Sequence, residues 1–595
     1  MANQGFTNSL LVEVGGAPLR PEIAQLMTYA YVDDSRVLPD AFVLRFRDPG
    51  RNVLEQAGIR IGVAMKLKAQ AGDSPSPEPL LAGEVTAMSV DIDTTGTVTE
   101  VRGYDHSHRL FRGRRVTAYA NMTISDVVRK VAQRAGLPVD TVDTFGKPPA
   151  DTEITQDNVS DWEFLQRLAD ITGAELAVID GKLSFQMPAE STTAPGASAR
   201  ARQDPLVLEA GQNVTAVRAA VSSAEQVGQV EVRGWDYLTK QEVTANAPAK
   251  TASAELSDVT PQDLAKDFGN GTFLATDVPH RTQAAAKTAA EALAAQIAGA
   301  FAEIEGVARG NPKLRAGSSV SLSAVGAPFE GKYTLSATRH LFSEDTGYTT
   351  LFTVSGRQER SLYGLTHGGH QRNGHHAVSG LVPALVSDVR DPRKLGRVKV
   401  TFPWLAKDYT TGWARTVQIG AGSKRGAMIL PEVGDEVLVG FEQGDFDNPY
   451  VLGGLYNGKD EPATSPYELV DGNSGQVNGR RLVSRTGHKL ELVEATGKQD
   501  VVRLVTGDDK HSLELDKKGT KVTLRSDGTV LIEGSRGVTI DAKTGPLELK
   551  GNSVSIKGTS GVKVEGATVS VTGQGTAELK ASGPVTVQGA PVRIN

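Results

Sequence analysis

Val554-Ser-Ile-Lys-Gly558, Val562-Lys-Val-Glu-Gly566 and Val569-Ser-Val-Thr-Gly573 are one pattern written three times. Two apolar residues flank a polar one, a second polar residue follows, and glycine closes the unit. The same spacing continues in both directions. Its apolar pairs are Val522/Leu524, Val530/Ile532, Val538/Ile540, Leu547/Leu549, Val554/Ile556, Val562/Val564, Val569/Val571, Ala577/Leu579, Val585/Val587 and Val592/Ile594. Successive pairs start seven to nine residues apart. Alternation in an extended chain puts both members of a pair on one face. The glycines, as in Ile532-Glu-Gly534 and Ile556-Lys-Gly558, are expected where the chain must turn with φ > 0.

One such octad is too small to bury its own apolar face. A parallel β-prism with three octads per turn fits, because the pairs then fill a narrow interior. No aromatic follows Tyr467, where average usage over that length predicts about six. An interior that admits only Val, Ile, Leu and Ala explains the gap. Spacing alone leaves two closures open. One is a single-chain solenoid, as in a glycan-degrading β-helix enzyme. The other is three interwound chains, which near-constant octads without insertions favour. Each octad then advances about 4.7 Å, so ten make a rod of roughly 45 Å. The expected trimer core is the set of pairs from Val522 to Val587. The sequence runs out on Pro591-Val-Arg-Ile-Asn595, and an uncapped prism exposes strand edges. A separate capping partner is therefore expected at Val592, Ile594 and Asn595.

Composition agrees with a turn-rich β protein. Of 595 residues, 64 are Gly, and aromatics make up 5 %. Lys+Arg (64) against Asp+Glu (70) gives a net charge of −6, so no bulk basic charge argues for nucleic acid or anionic membrane. The absence of Cys excludes disulfides, thiolate metal sites and a Cys nucleophile. The N-terminal residues show no signal-peptide pattern, which makes cytoplasmic synthesis and assembly the expectation.

Residues 377–457 read as an OB-type barrel. Strand signals fall at 380–389, 396–402, 413–418, 436–442 and 450–454, and turns at Asp391-Pro392, Pro431-Glu-Val-Gly434 and Asp447-Asn-Pro449. Gly396-Arg-Val-Lys-Val-Thr-Phe-Pro-Trp404, Leu430-Pro-Glu-Val-Gly-Asp-Glu-Val-Leu-Val-Gly-Phe441 and Gly444-Asp-Phe-Asp-Asn-Pro-Tyr-Val-Leu-Gly-Gly-Leu-Tyr456 resemble the OB domain of VgrG-type spike/hub proteins of contractile injection systems. Those systems include type VI secretion, extracellular injection particles and phage tails. The resemblance implies a mainly β chain: a hub over 1–365 with two barrels and a helical insertion at about 116–190, a linker at 366–376, the OB barrel at 377–457, a connecting segment at 458–509 and the octad spike at 510–595. It also implies a homotrimer, a PAAR-like tip protein at the C-terminal end, a hexameric inner-tube protein and baseplate components at the hub, possible effector cargo, and a place in a phage tail-like particle. Within the hub, Thr123/Asp126 and Ser160/Glu163 are capping-box signals for two helices. An Ala-rich helix is expected over about 283–305, with Leu293, Ile297, Phe301 and Ile304 on its packing face.

Chemical alternatives are weak. Gly420-Ala-Gly-Ser-Lys-Arg-Gly426 is Gly-rich and basic, but Ala427 stands where a phosphate loop needs Lys. It reads as a barrel turn. His367, His370, His375 and His376 offer metal ligands, yet the Gly and Asn between them favour a solvated linker. Glu432, Asp435 and Glu436 could suggest an acid/base pair, but the resemblance makes Pro431–Asp435 a turn, and Asp445 and Asp447 likewise read as turn formers. Phe402, Trp404, Tyr409 and Trp413 lie among Lys and Arg, as in single-strand binders, but acidic residues balance the charge. No enzyme activity, cofactor or nucleic acid is expected.

Overall fold

The structure is a computed structural model that describes residues 9–71, 76–146, 153–356, 378–495 and 499–594. It is mainly β and divides into two units, Met1–Pro462 and Ala463–Asn595.

A sheet of eleven strands organises the larger unit. Seven strands come from the first flank, the residues before the helical insertion, including Met27–Ser35, Ala41–Arg47 and Gly96–Asp105. Four come from the second: Val214–Val221, Ala302–Arg309, Ala337–Ser343 and Gly347–Val354. The two flanks thus share one sheet, through antiparallel pairing of Ala337–Ser343 with Met27–Ser35. Opposite charges support that register. Arg339 lies across from Asp33, and its guanidinium donates to both carboxylate oxygens at 2.5 and 2.7 Å. Alternation turns Val32, Phe42, Leu44, Phe46 and Val101 into the core.

Both capping boxes start helices, Ile124–Arg134 and Asp161–Thr172. These pack with short strands around Tyr119, Val128, Trp162 and Phe164 as a separate core. The Ala-rich helix is shorter than expected, Gln283–Gly299. Ala286, Ala290, Ala294 and Ala298 form its buried stripe, while Phe301 follows the helix and Ile304 lies on the next strand. Alanines four apart let the helix approach the strands carrying Val230, Val232 and Val243 closely. Larger side chains would hold it off.

The OB segment forms a five-stranded sheet in the order Lys399–Thr401, Val382–Asp388, Glu436–Phe441, Pro449–Gly454, Arg415–Thr416. A bridge between Val398 and Ala414, with hydrogen bonds of 2.9 and 2.8 Å, joins the two edges and closes the barrel. Val386, Val400, Phe402, Tyr409, Val437 and Phe446 fill it.

In the smaller unit, the stretch expected as a connection is itself folded. Gly479–Val483, Lys489–Ala495, Gln499–Val505, His511–Asp516 and Lys521–Ser526 form an antiparallel meander. One face carries the cross-strand row Arg481, Glu491, Arg503, Glu514. The other carries Leu482, Leu490, Leu504, Leu513 and Leu524 in line. Val522 and Leu524, read as the first octad pair, therefore belong to a hairpin strand rather than to a parallel prism. Their alternation is the same in both settings, so sequence could not separate them.

Candidate functional site

From residue 527 to 594 the described chain contains no strand. Its only backbone–backbone hydrogen bonds among the described residues are Asp527 to Lys510 and the turn from Gly545 to Ala542. The alternation of the octads persists, but nothing within the chain covers it.

The residues expected as spike core are therefore not a core within one chain. Val530, Ile532, Val538, Ile540, Leu547, Leu549, Val554, Ile556, Val562, Val564, Val569, Val571, Leu579, Val585 and Val587 are all exposed rather than buried. Ile540 is 63 % exposed, Leu549 61 % and Leu579 77 %. Val522 and Leu524, on the edge strand of the meander, are exposed as well, as are Val592 and Ile594 near the end. The reason is geometric. An octad is too short to fold over its own pair, and no neighbouring strand of the same chain lies across it. Burying one such side chain is worth about 1.5–3 kcal/mol. Among the described residues beyond Ser526, no strand of the same chain covers this stripe. Neither a single-chain coil nor a run of hairpins closes it beyond Ser526. Asn595 lies outside the described residues, as do His367, His370, His375 and His376.

The turn glycines serve a purpose different from the expected one. None of Gly534, Gly551, Gly558, Gly566, Gly573 and Gly589 has positive φ. What Gly534, Gly558 and Gly573 provide is close approach. A Cβ on Gly534 would lie 2.5 Å from the Gly537 carbonyl oxygen, and one on Gly558 would lie 2.3 Å from that of Gly561. The chain folds back so tightly that only a hydrogen fits.

The other candidate residues have structural partners. The Asp435 carboxylate accepts from the Glu432 N–H at 2.8 Å, and Glu436 accepts from the Asn457 amide at 2.7 Å. Asp445 accepts from the Asp447 N–H at 3.0 Å. The Asp435 and Asp445 contacts are turn bonds, as expected, whereas Glu436 begins the strand Glu436–Phe441 and its bond reaches 21 residues along the chain. Gly422 and Arg425 pair across the tip of the Gly-rich loop, which makes it a hairpin turn. Phe402 and Tyr409 are core, and Trp413 lies beneath Arg397 and Lys399. Trp404 is exposed, with its indole N–H on the Pro383 carbonyl at 2.9 Å. Among the described residues, no group of three or more His, Cys, Asp or Glu is arranged to hold a metal, and no helix is long and apolar enough to cross a membrane.

Two joints within the larger unit escaped sequence reading. At the first, Tyr237 is held between the guanidinium groups of Arg281 and Arg415, 4.9 and 4.8 Å from its ring centre. Its hydroxyl accepts from Arg397 at 3.2 Å, and Arg281 pairs with Glu442 at 3.0 Å. This ties the strand pair Gln229–Asp236/Gln241–Pro248 to the barrel. At the second, Arg315 from one flank pairs with Asp34 and lies 3.8 Å from Asp40, both on the other flank. Asp105 lies beside them, and burial pushes its carboxyl up to about 7, with the Asp34 charge adding to the effect. Burial likewise raises Asp40. His340, fully buried on Tyr348, is pushed down to about 3 by burial and by the Arg315 charge.

Known proteins share parts of this arrangement. The model of the type VI secretion system/phage-baseplate injector OB domain matches residues 382–456, and that of the Alg8 N-terminal domain matches residues 64–344. The type VI secretion system spike protein VgrG3 of Vibrio cholerae is 34 % identical over 112 residues, which are 18 % of this chain and 11 % of that protein. The spike protein VgrG2a of Pseudomonas aeruginosa is 41 % identical over 80 residues, 13 % of this chain and 9 % of that one. The matched part thus spans about a tenth of the length of these relatives. The lidded Francisella PdpA-VgrG complex contains a chain of similar fold, with a TM-score of 0.50 at 10 % identity, covering 88 % of this chain and 81 % of that one. The chain resembles VgrG-type spike proteins in its OB domain and in its fold.

Proposed function

We propose that three copies of this VgrG-like chain form the central hub and spike of a contractile injection machine. In this reading the hub receives the inner tube and baseplate at the N-terminal end. The octads of three chains wind together into a rigid rod, and a PAAR-like protein seals the tip at Val592, Ile594 and Asn595. Assembly takes place in the cytoplasm, within a phage tail-like particle that carries or exposes effector cargo. The work is mechanical rather than catalytic. Sheath contraction drives the rod through an envelope, and the rod must neither buckle nor unzip. Interchain strand pairing meets that need, because one chain cannot peel away without breaking many backbone hydrogen bonds together, each worth about 0.5–1.5 kcal/mol net.

The uncovered apolar stripe carries this reading. A lone chain leaves it in water, whereas two sister copies bury it. Light scattering on the full-length protein tests it: the expected mass is near three times 62.9 kDa. A monomer, or release of reducing ends from polysaccharide, would favour a glycan-degrading β-helix instead. Salt-sensitive retention on single-stranded DNA would favour the nucleic-acid reading.

A further inference from the structure

The polar residue inside each apolar pair follows a rule of its own. From the Val538/Ile540 pair onward, hydroxyl residues (Thr539, Ser555, Ser570, Thr586) alternate with charged ones (Glu548, Lys563, Glu578, Arg593). The charged residues in turn alternate in sign. In the lone chain the first three find partners two residues ahead: Glu548 with Lys550 at 2.8 Å, Glu578 with Lys580 at 3.2 Å, and Lys563 with Glu565. All six side chains are well exposed.

We propose that the residues inside the pairs form interchain ion pairs that staple the three chains together along each face of the rod. This rests on the trimeric reading above. In an interwound prism each octad climbs one strand spacing and passes to the next face. Successive octads along one face therefore belong to three different chains, about 4.8 Å apart. Read up a face, the sequence becomes Glu548, Ser555, Lys563, Ser570, Glu578, with each residue from the next chain. Every small hydroxyl then lies between opposite charges about 9.5 Å apart. A Glu arm, a Lys arm and a hydrogen bond of about 3 Å span that gap over a serine. The first chain is thereby tied to the third across the second. The partner this surface fits is a pair of sister copies, and charge complementarity selects them.

The test uses the full-length protein and the midpoint of heat dissociation of its trimer. K563E places three acidic residues in succession along each face. It is expected to lower the midpoint by about 2 °C or more. Adding E548K and E578K restores the alternation among positions 548, 563 and 578, with one like-charge step left toward Arg593, and is expected to recover part of the loss. In that triple variant, however, every reversed charge meets a like charge two residues ahead in its own chain. If in-strand pairs governed, the triple variant would be the weakest of the set. That ranking, or a K563E midpoint equal to the parent's, overturns the proposal while leaving the trimer standing. A monomeric parent overturns the trimeric reading along with it.

Discussion

Val564→Asp addresses the apolar stripe where its cost is greatest. Val564 belongs to the Val562/Val564 pair and is 69 % exposed in a lone chain, so in one chain the change would be nearly silent. In three interwound chains it inserts three carboxylates into one layer of a narrow interior. Each uncompensated buried charge costs several kcal/mol, and each lost valine contact removes about 1.5 kcal/mol or more. The sum over three copies is on the order of 10 kcal/mol per trimer, enough to open the rod locally. The assay is resistance of the trimer to heat in detergent, read on a gel and by light scattering. Thr572→Asp, an outward-facing change, is the control and should leave the midpoint near that of the parent. The pH dependence fixes the cause. Burial raises a carboxyl pKa, so acidification toward about pH 4 should neutralise the introduced groups and recover part of the loss. Equal midpoints for Val564→Asp and Thr572→Asp would refute an interchain core at this position.

Tyr237→Ala removes the ring between Arg281 and Arg415 and the acceptor for Arg397. A loss of roughly 2–3 kcal/mol is expected, seen as earlier proteolytic release of the 378–456 barrel. Stability should fall on both sides of a pH optimum. Neutral His340, pushed down to about 3, contributes stability that is present above the free histidine value near 6.5 and lost as pH falls toward about 3. Asp105, pushed up to about 7, acts in the opposite direction. Its contribution is present below about 3.9 and lost as pH rises through about 7, so Asp105→Asn should flatten the melting temperature across that window. Gly558→Ala drives a Cβ to 2.3 Å from the Gly561 carbonyl oxygen, whereas Gly561→Ala meets nothing within 4 Å. The first should lower rod heat resistance and the second should be tolerated.

The octads were legible because apolar pairs at near-constant spacing need no tertiary context to be recognised. What covers them was not. Alternation puts Ile540, Leu549 and Leu579 on a common face, but burial depends on a neighbouring strand, and one chain supplies none there. The role of the glycines was hidden too, because a carbonyl oxygen three residues away enters only once the turn is built. The Leu482–Leu524 meander shares its alternation with the octads, and only cross-strand register tells them apart. Phe301 prolonged the four-residue spacing of Leu293 and Ile297 beyond the true helix end. Strand pairing from Ala302 onward outweighed that local pattern. Capping boxes at Thr123 and Ser160 are local chemistry and were readable. The Tyr237 clamp and the Asp34, Asp40, Asp105 and Arg315 seam draw together residues far apart in the chain, and no spacing rule reaches them.

The most direct measurement exploits the absence of native cysteine. Ser570→Cys with Glu578→Cys places thiols on consecutive octads, which interwinding sets about 4.8 Å apart in different chains. Treatment with a short bis-maleimide should yield a covalent three-chain species on a denaturing gel. Single-chain bands alone, at full thiol modification, would contradict the account.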